Sequence, residues 1–141
     1  MHNFKRFSFF MPGETWIGFS AVEELGRSLI KKRVDRGLIV TDEFMAGSKV
    51  TAKVVEVLKE SGIETFIYSG VKPDPTTDQV SEAAIEFKKN RCNALISIGG
   101  GSPHDCAKAV KYLLVRGGVC EKDKVILAAV NTTAGTGSEL T

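Results

Sequence analysis

The residues best placed to do chemistry fall in three groups. The first is Gly99-Gly100-Gly101-Ser102-Pro103-His104-Asp105. Adjacent glycines let a backbone approach a ligand closely and reach φ values that other residues avoid. Ser102 reads as a helix N-cap, Pro103 as the first helical residue, and Asp105 as the far partner of a capping box. The product is a glycine loop feeding a helix N-terminus. Its N–H groups and dipole suit an anion, above all a pyrophosphate. A bare strand-to-helix turn would need only one or two of these glycines. Asp105 reads equally as a cap or as a ligand contact, and His104 as a surface residue of the first helical turn.

The second group is Asp42, with Glu43 beside it. Asp42 can accept hydrogen bonds from an adenine-ribose diol, or it can cap the helix that follows. The paired charge would oppose a 2′-phosphate, which favours NAD over NADP. The order of parts differs from the common dinucleotide fingerprint, in which the acid follows the glycines by about 20 residues. The third group is Thr132-Thr133-Ala134-Gly135-Thr136-Gly137-Ser138-Glu139, whose hydroxyls and glycines could cradle phosphate or ribose. It is not a P-loop, since no Lys stands before Ser138.

These groups need strands to hold them. Gly37–Thr41, Ala94–Ile98 and Val125–Val130 are continuous apolar runs, and Glu64–Tyr68 is a weaker one. Continuous rather than alternating runs suit strands buried on both faces of a parallel sheet. Between them lie helical stripes: Val22, Leu25, Leu29 and Ile30; Val50, Val54, Val57 and Leu58, closed by Gly62; Val80, Ala83, Ala84 and Phe87, capped by Thr77 or Asp78; and Cys106, Val110, Leu113 and Leu114. Strand and helix alternating through short connections predicts right-handed βαβ units. The fold class is α/β: a Rossmann-like three-layer α/β/α domain with a mostly parallel sheet. Phe7–Ile17 adds one or two edge strands, where Trp16 packs, and Val71–Thr76 is a loop because its prolines break any ladder. All three chemical groups follow strands, where such sheets bind ligands.

Composition narrows the classes. The 141 residues are 43% hydrophobic and 26% charged, which fits one globular domain and not a disordered chain. Net charge is +2, and the basic runs Lys31–Arg33 and Lys88–Arg91 fall at helix ends, so no nucleic-acid surface is expected. No stretch is long enough for a membrane span or a signal h-region, and three cysteines without a CxxC suggest a reducing compartment; a cytoplasmic protein is expected. Only His2 and His104 are present, too few for a histidine-rich metal site or for a Ser/His/Asp or Cys/His catalytic set. Cys106 lies on a core stripe and reads as a small hydrophobe.

Gly99-Gly100-Gly101-Ser102-Pro103-His104-Asp105-Cys106-Ala107-Lys108 resembles the GGGSxxDxAK motif of the iron-containing (group III) metal-dependent alcohol dehydrogenases. Asn131 to Glu139 resembles the second motif of that family, with Asn131 where many members have Pro. Phe10–Pro12 and Gly18–Gly26 also match, and the likeness is strongest to the 1,3-propanediol and short-chain alcohol dehydrogenase branch. The resemblance implies an N-terminal dinucleotide-binding domain over 1–141. Asp42 would contact the adenine ribose. Gly100, Gly101 and Ser102 would hold the pyrophosphate, and Gly99 and Asp105 count with them as cofactor-binding residues. Thr132, Thr133 and Thr136 would line the cofactor cleft. Asp74 stands where the family has the Asn of a Pro-Asn-Pro loop, which keeps an acceptor and loses an amide donor. The stretch from Gly118 to Val125 is short for the family.

In that family, hydride passes between nicotinamide and an alcohol held by a divalent metal, iron or zinc. One Asp and three His on a helical C-terminal domain bind the metal. Those ligands are expected outside these residues, so no catalytic or metal-binding residue is assigned here. The expected reaction interconverts a primary alcohol or diol and its aldehyde, in a homo-oligomer of two or more subunits. Two other readings are a relative of glycerol dehydrogenase or dehydroquinate synthase, and a non-catalytic nucleotide-binding module or fragment.

Overall fold

The computed structural model describes residues 8–11, 14–17 and 21–132. In chain order the elements are β1 (Ser8–Met11), β2 (Glu14–Ile17), α1 (Ala21–Lys31), β3 (Arg36–Val40), α2 (Glu43–Ala46), α3 (Lys49–Glu60), β4 (Glu64–Tyr68), α4 (Thr77–Lys89), β5 (Ala94–Gly99), α5 (Gly101–Arg116), a 3-10 turn (Lys122–Lys124) and β6 (Ile126–Asn131). They form one six-stranded sheet in the order β2-β1-β6-β5-β3-β4. The pairs β6–β5, β5–β3 and β3–β4 are parallel. β1 runs antiparallel to both β6 and β2. The four strands expected from apolar runs are all present and make the parallel part of the sheet.

The continuous runs have the cause inferred for them. Leu38 and Val40 of β3 and Leu95 of β5 pack against Ala83, Ala84 and Phe87 of α4 and Cys106, Val110 and Leu114 of α5. On the other face, Ile39, Ile96, Ile98 and Val130 meet Val22, Leu25 and Leu29 of α1 and Val54 and Leu58 of α3. Two helical layers thus cover one sheet. Each large aliphatic side chain withdrawn from water contributes roughly 1.5–3 kcal/mol, so successive residues of one strand stabilise opposite layers. β4 reads more weakly because it is an edge strand: Glu64 and Ile67 are exposed and only Tyr68 is buried.

Helix ends explain several local differences from the expected pattern. The cap of α4 is Thr76 rather than Thr77 or Asp78, its hydroxyl accepting from the N–H of Gln79. Ile30 and Leu113 sit at the margins of their stripes and are 47% and 42% exposed. Gly62 follows the end of α3 with φ +83°, as a C′ glycine should, and the N–H of Ile63 returns to the carbonyl of Leu58. α1 and α4 close with the same hydrogen-bond pattern but carry Arg33 and Arg91 at the left-handed position, at φ 62° and 54°.

Candidate functional site

The parallel strands lie in the order β4-β3-β5-β6, so the chain moves outward from β3 to β4 and then crosses back to β5. Strand order therefore reverses between β3 and β5, and beyond their carboxyl ends is the place where such sheets leave a crevice. A cavity of about 160 Å³ opens there. Asp42 lines it from the end of β3, Val71 to Pro73 from the loop after β4, and Gly100 to Pro103 from the start of α5.

Thr41 holds these three walls together. It is fully buried, its N–H donates to the carbonyl of Tyr68, and its carbonyl accepts from the N–H of Val71. Its hydroxyl donates to the carbonyl of Ile98 at 2.7 Å. One residue thereby fixes the ends of β3, β4 and β5 relative to each other. Nothing in the sequence pattern singled it out, because a Thr closing a strand is ordinary.

The glycine loop turns directly into α5. Gly99 is still paired in the sheet, opposite Asn131, and its carbonyl accepts from the N–H of Thr132 at 3.0 Å. Its φ is +138°, and a Cβ there would stand 3.0 Å from Cγ of Pro103. The helix then starts earlier than the Ser-Pro pattern suggests. Gly100 is the N-cap, Gly101 the first helical residue, and no side chain caps the end. Ser102, Pro103 and Asp105 are therefore the second, third and fifth helical residues, so the expected cap and capping box do not form. Three glycines allow strand to pass into helix without a polar linker. Pro103 then stands at a first-turn position, where its missing N–H would have had no helical partner. Asp105 is exposed and lies in the helix interior of the sequence, off the cavity wall.

The other helices make the contrast plain. α2, α3 and α4 are capped by Asp42, Ser48 and Thr76. Among the α-helices whose caps are described, only the one that faces the crevice offers its N-terminal N–H groups without a side-chain acceptor. Asp42 does two things at once: Oδ1 accepts from the N–H of Met45 at 2.7 Å, and the residue lines the cavity. The capping role expected as one alternative is real, and it leaves Oδ2 without a hydrogen bond among the described residues.

The remaining assigned positions divide as follows. Asp74 is exposed, adopts φ 56°, and stands next to the cavity-lining Pro73 without lining the cavity itself. Thr132 is half-buried beside Gly99. Thr133 and Thr136 lie outside the described residues. His104 is not a surface residue: it is 1% exposed, and its Nδ1 lies 2.6 Å from Oγ of Ser97 in β5. The reason is helical geometry, since α5 starts early and turns position 104 onto the sheet. The available signal was Ser97 itself, a polar residue inside an otherwise apolar strand. Burial pushes the thiol of Cys106 up to about 11, so it is a packed, unreactive group as expected. Pro73, expected in a loop that approaches the cofactor, lines the wall, together with Val71 and Lys72, which the sequence marked only as loop.

A cofactor fit can be tested on this geometry. An uncapped helix start behind three glycines suits a diphosphate, and a half-buried carboxylate at the same cavity suits a ribose diol. Among the described residues no group of three or more His, Cys, Asp or Glu could hold a metal ion.

The family described as iron-containing alcohol dehydrogenase matches residues 12–141. The NAD-dependent methanol dehydrogenase of Bacillus methanolicus is 40% identical over 143 residues, covering 95% of this chain and 38% of that protein. A solved 1,3-propanediol oxidoreductase superposes with a TM-score of 0.74 at 30% identity, over 86% of this chain and 34% of its own. Sulfoacetaldehyde reductase from Bifidobacterium kashiwanohense, solved in complex with NAD+, gives 0.73 at 25% identity, over 88% of this chain and 35% of its own. The chain thus spans little more than a third of the length of these relatives.

Proposed function

The chain belongs to the iron-containing alcohol dehydrogenase family, and on that premise we propose that it is the NAD-binding domain of an oxidoreductase interconverting a primary alcohol or diol and its aldehyde. The observation that carries this reading is the crevice at the β3–β5 reversal, where Asp42 and the uncapped start of α5 line one cavity. Nicotinamide supplies the hydride chemistry when bound, and the domain binds and orients it. Orientation of this kind can supply several kcal/mol of a barrier.

The residues divide the work. Asp42 accepts from the adenine-ribose diol through the oxygen that does not cap α2. Gly100, Gly101 and Ser102 hold the diphosphate through backbone donors, with Gly99 setting the turn. Asp105, exposed in the early part of α5, adds no cap. Asp74, Thr132, Thr133 and Thr136 belong to the cleft rim in this reading. The metal would be held by the helical domain that follows in the family. The cytoplasm is the proposed location, and a homo-oligomer the proposed assembly. Among the described residues no helix is long and apolar enough to cross a membrane.

NADH titration of the chain, followed by nicotinamide fluorescence and by thermal unfolding, tests the proposal. Saturable binding that Gly101→Val abolishes is expected. Absence of any shift at millimolar-scale NADH would refute it.

A further inference from the structure

We propose that Lys72 is a phosphate-binding residue of this crevice, holding the dinucleotide's diphosphate from the wall built by the β4–α4 loop. This rests on the cofactor reading above and extends it to a charged side chain. The position is fixed at its backbone and open at its side chain. Val71 is 3% exposed and its N–H is tied to the carbonyl of Thr41. The N–H of Lys72 donates to Oε1 of Gln79 at 3.1 Å. Next to these anchors Lys72 is exposed and is a lining residue of the same cavity as Gly100, Gly101 and Ser102.

The charge around the cavity points to an anion. The uncapped start of α5 carries a partial positive charge. Lys72 adds a full one, and among the described residues it forms no ion pair, whereas Lys53 pairs with Glu23 and Arg36 with Glu64. Asp42 is the single carboxylate on the wall, and one of its oxygens is already engaged in capping α2. A ribose needs no cation. A diphosphate brings two negative charges, and a flexible ammonium at the cavity edge is suited to meet one of them.

The test uses the full chain, Lys72→Met and Lys72→Arg, with NADH, ADP and adenosine as probes, adenosine being followed by saturation-transfer NMR. Because Lys72 is exposed, Lys72→Met should unfold at the wild-type denaturant midpoint. It should bind NADH and ADP about three- to tenfold more weakly at low salt, and adenosine as well as wild type does. Lys72→Arg should restore most of the loss, and added salt should shrink the deficit, since the charge is partly screened. Unchanged ADP affinity in Lys72→Met at low salt would overturn the inference. So would an equal loss for adenosine, which would assign Lys72 to the loop's structure instead. A wild-type chain that binds neither NADH nor ADP would defeat the cofactor reading itself, and the Lys72 inference with it.

Discussion

Asp42 caps a helix and lines the crevice, and the two roles can be pulled apart by one pair of substitutions. Asp42→Ala removes both the Oδ1 acceptor for the Met45 N–H and the carboxylate facing the cavity. Loss of an N-cap of this kind costs about 1 kcal/mol. Asp42→Ser keeps an N-cap of nearly equal quality, so its stability should stay within about 0.5 kcal/mol of wild type. It nevertheless lacks the charged acceptor. Hydrogen bonds to a charged group contribute roughly 1.5–3 kcal/mol each, and this half-exposed site belongs at the low end. Loss of one such bond, about 1.5–2 kcal/mol, corresponds to roughly 10- to 30-fold weaker NADH binding. The two variants should therefore share the binding defect and differ in stability. Urea unfolding and NADH fluorescence titration measure the two quantities independently. If Asp42→Ser binds NADH within about twofold of wild type, Asp42 is a cap and nothing more, and the ribose assignment fails.

Gly99→Ala should destabilise the chain by about 2 kcal/mol, because φ +138° is a conformation essentially reserved for glycine and the new Cβ would press on Pro103; urea midpoints check it. Gly100→Asp places an acceptor on the bare start of α5, so it should hold or slightly raise stability while cutting NADH affinity at least tenfold, and equal affinity would argue that no anion sits there. Arg33→Gly and Arg91→Gly should each stabilise by roughly 0.5–1 kcal/mol, since both residues hold left-handed positions that glycine adopts without strain. Burial raises the thiols of Cys92 and Cys106 to about 12 and about 11, so the folded chain keeps protons that the unfolded chain loses from about pH 9 upward. Stability should fall between about pH 9 and 11, with the buried, Glu82-bonded Tyr68 hydroxyl adding to the fall at the alkaline end, and Cys92→Ala should lessen it; a flat urea midpoint across that range would contradict the assignment.

Much of the architecture was legible because burial on two faces leaves a mark that one residue cannot hide. β3, β5 and β6 are continuous apolar runs because a helix layer lies on each side of them. The candidate site was legible for a different reason: three adjacent glycines exceed what a plain turn needs, and they follow a strand where such sheets bind ligands. Cap identity was legible at Asp42 but not at α4 or α5. Ser102 is a better capping residue than Gly100 by type, yet Gly100 takes the position because β5 runs through Gly99 and the chain has no room for a polar linker. His104 was misplaced by the same two-residue shift, since rotating the start of α5 moves each later side chain to a new face. Thr41 and Lys72 were missed because their roles come from neighbours distant in sequence, Ile98 and the glycine loop, and local pattern carries no trace of them.

The pattern of caps gives the crevice its physical logic. The side chains of Asp42, Ser48 and Thr76 each accept from an N–H in the first turn of α2, α3 and α4. At α5 the chain uses glycine instead, at a cost of only a few tenths of a kcal/mol relative to Ser or Asp. The 16-residue helix carries that cost easily, because Cys106, Ala107, Val110 and Leu114 bury its inner face. What remains is a set of donors that a diphosphate would satisfy better than any side chain at that position could. On the proposed reading, stability is drawn from the buried face of α5 and cofactor binding from its uncapped end. The two demands do not compete, because they fall on different turns of the same helix.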